Sequence, residues 1–204
     1  MSTEQANHDD YGVLVAEGYL RLADVLEAGP EERWDTPSLC EGWRVREVVA
    51  HMTMPARYDQ DAFMGELREC GFDFTALSNR VAGRDGALPS RALLSDLRSE
   101  VLHRWTPPEG GVLGALSHVV IHSLDVTEPL GVEPAVPMAA IRPILDALAE
   151  GAHAHFGTDV AGRAFEASDI EWRFGSGPVL RAPAAEILLH LAGRAVPAAT
   201  AGGA

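Results

Sequence analysis

Two histidines four residues apart, His118 and His122, are the residues of this sequence best suited to chemistry. Four residues are about one turn of an α-helix, so both imidazoles are expected on the same helix face. Asp125 follows seven residues after His118 and shares that face. An imidazole pair with a carboxylate beside it is a donor set that first-row metal ions favour. The spacing therefore predicts part of a metal site that still needs a third ligand.

His51 is the best candidate for that third ligand. It lies on a predicted amphipathic helix, at the edge of the apolar stripe formed by Val48, Val49 and Met52. From there it can face the interior of a helical bundle, where metal sites are built from side chains on facing helices. Three protein ligands and one open position are typical of catalytic zinc sites. The alternative for each histidine alone is an ordinary hydrogen-bonded side chain, because such spacings also arise by chance.

The composition excludes several other kinds of chemistry. All 16 basic residues among the 204 are arginines, which excludes a Schiff-base lysine and a phosphate-loop lysine. The net charge of −14 argues against nucleic acid or an anionic membrane as a partner. The two cysteines, Cys40 and Cys70, are too few for a disulfide framework or a cysteine-based zinc site. We interpret Cys40 as a small buried hydrophobic residue.

Hydropathy suggests where the protein works. No apolar run is long enough to span a bilayer, and the N-terminus has no signal-peptide pattern. We therefore expect a soluble, cytoplasmic protein, either a monomer or a homodimer, whose partners are small molecules.

Helical periodicity dominates the first three quarters of the chain. The predicted helices cover residues 11–26, 43–67, 92–105, 112–130 and 137–156. Pro55 would normally end or kink the second of these helices. Residues 71–90 are polar and glycine-rich, and we predict a long connection there that could cover a site. These elements indicate a helical bundle over residues 1–156.

The character of the sequence changes after Gly157. Residues 164–174 alternate weakly and are followed by a Gly-Ser-Gly-Pro turn at 175–178, which predicts a β-hairpin. A short helix is expected over 184–194, and a disordered tail over 197–204. Residues 157–204 are therefore predicted to form a small C-terminal α/β domain.

Several segments resemble the mycothiol-dependent maleylpyruvate isomerase family, which belongs to the DinB-like four-helix metalloenzymes. Residues 34–51 resemble its N-terminal signature: a Trp, a small-residue turn with Cys, Gly-Trp, and a helix ending in a ligand histidine. Residues 118–125 resemble its second signature, usually Glu-x-x-x-His-x-x-Asp. Residues 169–177 and 188–194 resemble its C-terminal domain. The resemblance extends from about Gly12 to Val196.

The resemblance implies both a fold and a function. The fold would be mainly α, a DinB-like four-helix bundle with a small C-terminal α/β domain. A divalent metal would bind to His51, His118 and His122; zinc is usual, and imidazoles also accept nickel or iron. Mycothiol would be the cosubstrate, and the substrate a small electrophilic carboxylate. Asp125 is expected to orient His122 or carry a proton, and Arg194 to reach the substrate carboxylate with its planar guanidinium.

Two departures from the family pattern leave the reaction open. His118 stands where the isomerases usually have Glu, and three neutral imidazoles would leave the full charge on the metal. The C-terminal piece is also short. Three hypotheses follow: a thiol-activating isomerase or S-transferase, a thiol-independent metalloenzyme for hydrolysis or rearrangement, and a non-catalytic bundle that binds a ligand.

Overall fold

The protein is divided into two compact units, Met1–Val136 and Pro137–Ala204. Its structure, a computed structural model, describes residues 3–108 and 110–195, with side chains from residue 10 onward. The boundary predicted between residues 156 and 157 falls inside the second unit. The predicted disordered tail at 197–204 lies outside the described residues.

The first unit is built from helices, as the sequence predicts. They are α1 (Thr3–Glu27), α2 (Val45–Met52), α3 (Met54–Arg57), α4 (Gln60–Glu69), α5 (Phe74–Asp85), α6 (Ser90–Leu97), α7 (Glu100–Arg104) and α8 (Gly111–Leu130). Helix α1 packs against α6, α7 and α8, and α2 packs against α5, α6 and α8. The apolar faces of these helices are buried, and Leu77 and Val81 of α5 form a separate cluster with Met54. None of the helices in the described part of the chain combines the length and hydropathy needed to cross a membrane.

The helix that carries His51 is shorter than predicted. The predicted helix over 43–67 is divided into α2, α3 and α4. Pro55 has no N–H to donate to the carbonyl of His51, four residues earlier, and its ring would clash there. The Thr53 N–H and hydroxyl both donate to the Val49 carbonyl, at 3.0 and 2.6 Å, and close the last turn of the helix. His51 is thereby placed in the last turn of α2.

The predicted connection at residues 71–90 is wrong, because α5 lies within it. The Asp73 carboxylate caps this helix by accepting from the Ala76 N–H at 3.0 Å. Leu77 and Val81, one turn apart, are fully buried and pack with Met54. A narrow apolar stripe is enough to hold the helix in place, although most of its other residues are polar.

The second unit contains α9 (Met138–Ala149), a 3-10 turn (Ala152–Phe156), three strands and α10 (Ala184–Leu191). Helix α9 packs against α10. The helix predicted over 137–156 ends at Ala149, because Gly151 adopts a φ of 134° that a helix does not accept. Gly193, at φ 76°, ends α10 in the left-handed conformation that glycine favours.

The predicted hairpin is also wrong. The strands are β1 (Ala164–Ala167), β2 (Arg173–Gly175) and β3 (Val179–Ala182), in the order β2-β1-β3. Strand β1 pairs antiparallel with β2 and parallel with β3. The strands on either side of the predicted turn, β2 and β3, therefore form the two edges of the sheet and do not pair with each other. The connection from β2 to β3 passes close to the backbone before β1 at Gly177, where a Cβ would lie 2.3 Å from the Gly162 carbonyl oxygen, so only glycine fits.

Arg57 clamps the end of α2 to two other helices. Its guanidinium donates to the Ala50 carbonyl and the Thr53 hydroxyl, each at 2.6 Å. It also donates to the carboxylates of Asp85 on α5 at 3.1 Å and Asp96 on α6 at 2.9 Å. The Arg57 side chain is only 16% exposed, so these contacts are shielded from water. The clamp fixes the helix end that presents His51.

We expect Arg57→Ala to lower the free energy of unfolding by roughly 2–4 kcal/mol, because Asp96 loses its cation and Asp85 keeps only its ion pair with Arg84. Chemical denaturation measures the loss. The matched control is Arg104→Ala, whose ion pair with Glu100 is largely exposed and should contribute less than about 0.5 kcal/mol. Equal effects of the two substitutions would contradict the clamp.

Candidate metal centre

The two histidines of α8 share one face, as predicted. The centroids of the His118 and His122 rings lie 4.8 Å apart. The helix is observed at Gly111–Leu130, close to the predicted 112–130, and Gly131 ends it at a φ of 62°. Most residues between Ala115 and Thr127 are buried, so the helix holds the two rings on a fixed support.

His51 of α2 meets this pair. Its Nε2 lies 3.2 Å from the Nε2 of His118, and its ring centroid lies 5.0 Å from that of His122. One ring nitrogen from each of the three residues lies within 4.8 Å of the others. In a tetrahedral zinc site with bonds of about 2.0–2.1 Å, two ligand nitrogens lie about 3.3 Å apart. The three side chains therefore fit a zinc-sized cation.

Neighbouring groups determine which nitrogen each ring presents. The Nδ1 of His118 lies 3.3 Å from the Tyr19 hydroxyl, and the Nδ1 of His122 lies 2.9 Å from Oδ2 of Asp125. Both contacts leave Nε2 available. The Nδ1 of His51 is buried with no hydrogen-bond partner among the described residues, whereas its Nε2 faces His118.

Burial keeps the two most enclosed rings neutral. It lowers the pKa of His51 to about 3, and the positive charge that His122 can carry adds to this effect while Asp125 opposes it. Burial also lowers the pKa of His118 well below its usual value. A neutral imidazole keeps the lone pair that coordinates a metal, so the rings are in the form that a ligand requires.

Cys40 belongs to the site, and its interpretation as a buried hydrophobic residue is incomplete. Its Sγ donates to Oδ2 of Asp125 at 3.1 Å and lies 3.8 Å from Nδ1 of His122. Asp125 is fully buried, and its carbonyl accepts from the Leu39 N–H at 3.1 Å. Cys40, His122 and Asp125 also form a second group whose ligand atoms could hold a metal. Nothing in the sequence spacing indicates a contact across 85 residues.

Three aromatic side chains surround the histidines, and we call them the aromatic rim: Trp43, Phe74 and Trp105. The Trp43 and Phe74 ring centroids lie 5.2 and 6.4 Å from that of His51. The Trp105 centroid lies 5.5 Å from that of His118. None of these three side chains was assigned to the site from the sequence. Tyr19 was missed as well, because its contact with His118 depends on the packing of α1 against α8.

The remaining predicted site residues lie in other surroundings. Arg194 belongs to the second unit, where its guanidinium donates to the Ala192 carbonyl at 2.9 Å and lies 5.9 Å from the Phe156 ring centroid. Its role in carboxylate binding stays a prediction. Glu47, one turn before His51, caps the start of α2, because its carboxylate accepts from the Arg44 N–H at 2.8 Å.

Comparison with known proteins supports the resemblance that the sequence signatures indicated. Residues 15–109 match the model of the mycothiol maleylpyruvate isomerase N-terminal domain. The crystal structure of the mycothiol-dependent maleylpyruvate isomerase is similar to this chain, with a TM-score of 0.63 and 16% identity over 97% of this chain and 98% of that one. A histidine-to-alanine mutant of that enzyme has the same identity and coverage and a TM-score of 0.61. Among the curated proteins, no significant match was found.

The comparisons establish the fold, and the family model matches residues 15–109 alone. The predicted mainly helical, DinB-like architecture with a small C-terminal sheet is confirmed. The matched segment contains His51 but ends before His118 and His122. The full set of three imidazoles is therefore an observation on this chain itself.

We expect the purified protein to bind one zinc ion per chain, as measured by elemental analysis. His51→Ala, His118→Ala and His122→Ala should each weaken zinc binding on the order of 100-fold or more, since a lost ligand costs at least as much as a lost outer partner. His155→Ala is the matched control, because that side chain is exposed on the 3-10 turn. Full zinc content in all three variants would exclude the site.

Proposed function

We propose that this chain, which carries the mycothiol maleylpyruvate isomerase N-terminal domain, is a metal-dependent enzyme that activates mycothiol towards a small electrophilic substrate. The observation that carries the proposal is the convergence of three imidazoles, the two most enclosed of them kept neutral by burial. Each ring has a nitrogen that can coordinate a metal ion, and the Nε2 atoms of His51 and His118 lie 3.2 Å apart. The metal would be zinc, with nickel or iron as alternatives.

His51, His118 and His122 would hold the metal, leaving one position for a small molecule. A divalent ion bound there would lower the pKa of a coordinated thiol or water. All three ligands are neutral, so none of them offsets the metal charge as the carboxylate of Glu would. This donor set favours a thiol that is ionised at neutral pH, which makes it a strong nucleophile.

The chain's own contribution is to orient the ligands and exclude water. Asp125 accepts from Nδ1 of His122, which fixes the tautomer and turns Nε2 towards the other two rings. Cys40 donates to the same carboxylate oxygen and so keeps it aimed at His122. The aromatic rim covers the imidazoles with apolar surface, which strengthens the electrostatic interactions beneath it.

Arg194 would bind the substrate, and the fate of the adduct would determine the type of reaction. The Arg194 guanidinium would bind a substrate carboxylate with two parallel hydrogen bonds. Sulfur adds to an activated double bond and the thiol proton passes to the neighbouring carbon. Reversal after bond rotation gives isomerisation, and release of the adduct gives S-transfer. Such a reaction belongs in the cytoplasm, where low-molecular-weight thiols are kept reduced.

We expect the zinc-loaded protein to accelerate the isomerisation of maleylpyruvate only when mycothiol is present, because reversal of the addition regenerates the thiol. With a simple enone, whose adduct is released, we expect it to accelerate the consumption of mycothiol. A chelator should abolish the acceleration, and added zinc should restore it. Turnover of substrate without any thiol would instead support a hydrolase or rearrangement enzyme. Stoichiometric ligand binding without turnover, and without metal, would support a non-catalytic bundle.

Substitutions behind His122 test how its ring is oriented. We expect Asp125→Asn to lower zinc affinity and kcat/KM by about 10–100-fold, the usual effect of losing a partner of a metal ligand. Cys40→Ala should have a smaller effect in the same direction. Cys40→Ser keeps a donor and should restore most of the affinity, whereas Cys70→Ala serves as the control. A loss in Cys40→Ser as large as in Cys40→Ala would mean that the sulfur itself is required.

A further inference from the structure

The first unit contains an apolar pocket beside the metal centre. Its volume is about 470 Å³, within the usual range of roughly 300–1,000 Å³ for small-molecule sites. Three segments line it: α3, the start of α4, and the turn after α7. The described lining residues are Met54, Pro55, Tyr58, Asp59, Gln60, Phe63, Met64, Trp105, Thr106 and Pro108. We call this space the apolar pocket.

One aromatic ring separates the apolar pocket from a predicted metal ligand. Trp105 lines the pocket and also lies edge-on against His118, with centroids 5.5 Å apart. Met54, another lining residue, comes three residues after His51 and is 6% exposed. Trp105 therefore borders both the metal centre and the apolar pocket, and a molecule that reacts beside His118 has the pocket on the other side of this ring.

The charges around the apolar pocket disfavour an anionic occupant. None of the described lining residues is basic. Asp59 is the one acidic residue among them, and its carboxylate accepts from the Ala62 N–H as the cap of α4. The Tyr58 hydroxyl donates to Asp85 at 2.7 Å, so this residue offers mainly its ring. Arg57, next in sequence, is held by its carboxylate partners.

The exposed part of the aromatic rim has the same chemistry. Phe74 contacts His51 and is 54% exposed, and its neighbour Phe72 is 63% exposed with a φ of 63° that non-glycine residues rarely adopt. Exposed aromatic side chains grouped beside a polar centre are typical of a binding surface for apolar groups. The rim and the pocket thus favour the same class of molecule independently.

We propose that the apolar pocket binds an uncharged alkyl or aryl arm of the electrophilic substrate, whose reactive carbon lies at the metal centre. This inference rests on the proposed function for the reaction, and the pocket supplies the substrate class. A carboxylate, if the substrate has one, lies at the reactive end and outside the pocket. Substrates that are charged at both ends would gain nothing from this site.

A series of alkyl vinyl ketones tests the proposal with the zinc-loaded protein and mycothiol. In each reaction a C–S bond forms at the terminal carbon and the thiol proton moves to the carbon beside the carbonyl. We expect kcat/KM to rise roughly fourfold for each methylene that enters the pocket, until the pocket is filled. Values that stay flat from methyl to hexyl, after the uncatalysed rate is subtracted, would overturn the proposal.

Met64→Asp tests the location of the binding site by placing a carboxylate in the apolar pocket. We expect this variant to flatten the dependence on chain length. The matched control is Met138→Asp, since Met138 is 37% exposed on α9 and lies in the second unit. A length dependence that survives in Met64→Asp would place the alkyl group elsewhere and overturn the proposal.

Calorimetric titration with unreactive methyl ketones, from butanone to octanone, separates this inference from the proposed function. Affinity that rises with chain length and is lost in Met64→Asp supports the pocket even if mycothiol is never consumed. Thiol turnover without any length dependence in rate or affinity supports the proposed function and overturns the pocket.

Discussion

The 3.2 Å approach of the Nε2 atoms of His51 and His118 joins helices whose contributing residues are 67 positions apart in sequence. Because the two rings come from different helices, the packing of the surrounding structure must bring them to this spacing. Tyr19 on α1 contacts the His118 ring, and Asp125 on α8 contacts the His122 ring. Cys40 in turn donates to Asp125. The bundle therefore holds the three imidazole rings together. The packing around the rings offsets the free-energy cost of removing their nitrogen atoms from water.

Sequence reasoning identified the residues whose positions follow from local periodicity. The pair on α8 needs only helical spacing, and His51 needs only an amphipathic helix that faces the same core. Tyr19 and Cys40 could not be found in this way, since their contacts cross 99 and 85 residues and depend on tertiary packing. Helix α5 was missed because most of its residues are polar, so its narrow buried stripe was not recognised. The strand order was wrong because Gly177 permits a crossing that the turn pattern alone does not reveal.

The relation between family and reaction is looser than the relation between family and fold. The matched N-terminal domain includes one of the three imidazoles, while the other two lie beyond it. If His118 is a metal ligand, an imidazole there leaves more positive charge on the metal than a carboxylate at the same place would. A scaffold can thus keep its architecture while the electrophile it accepts changes, because specificity depends on the side chains around the metal and not on the bundle.

Helix α2 has only eight residues, and a helix of this length is not stable alone in water. Its two ends are held by Glu47 at the start and Arg57 at the finish. The ligand His51 therefore exists in position only while both ends stay attached, which couples occupancy of the metal centre to the local unfolding of α2. An ion bound to all three rings would stabilise the closed helix against opening. By linkage, the closed helix would raise the affinity for the ion by the same free energy. Metal supply would then set the lifetime of the folded protein as well as its chemistry.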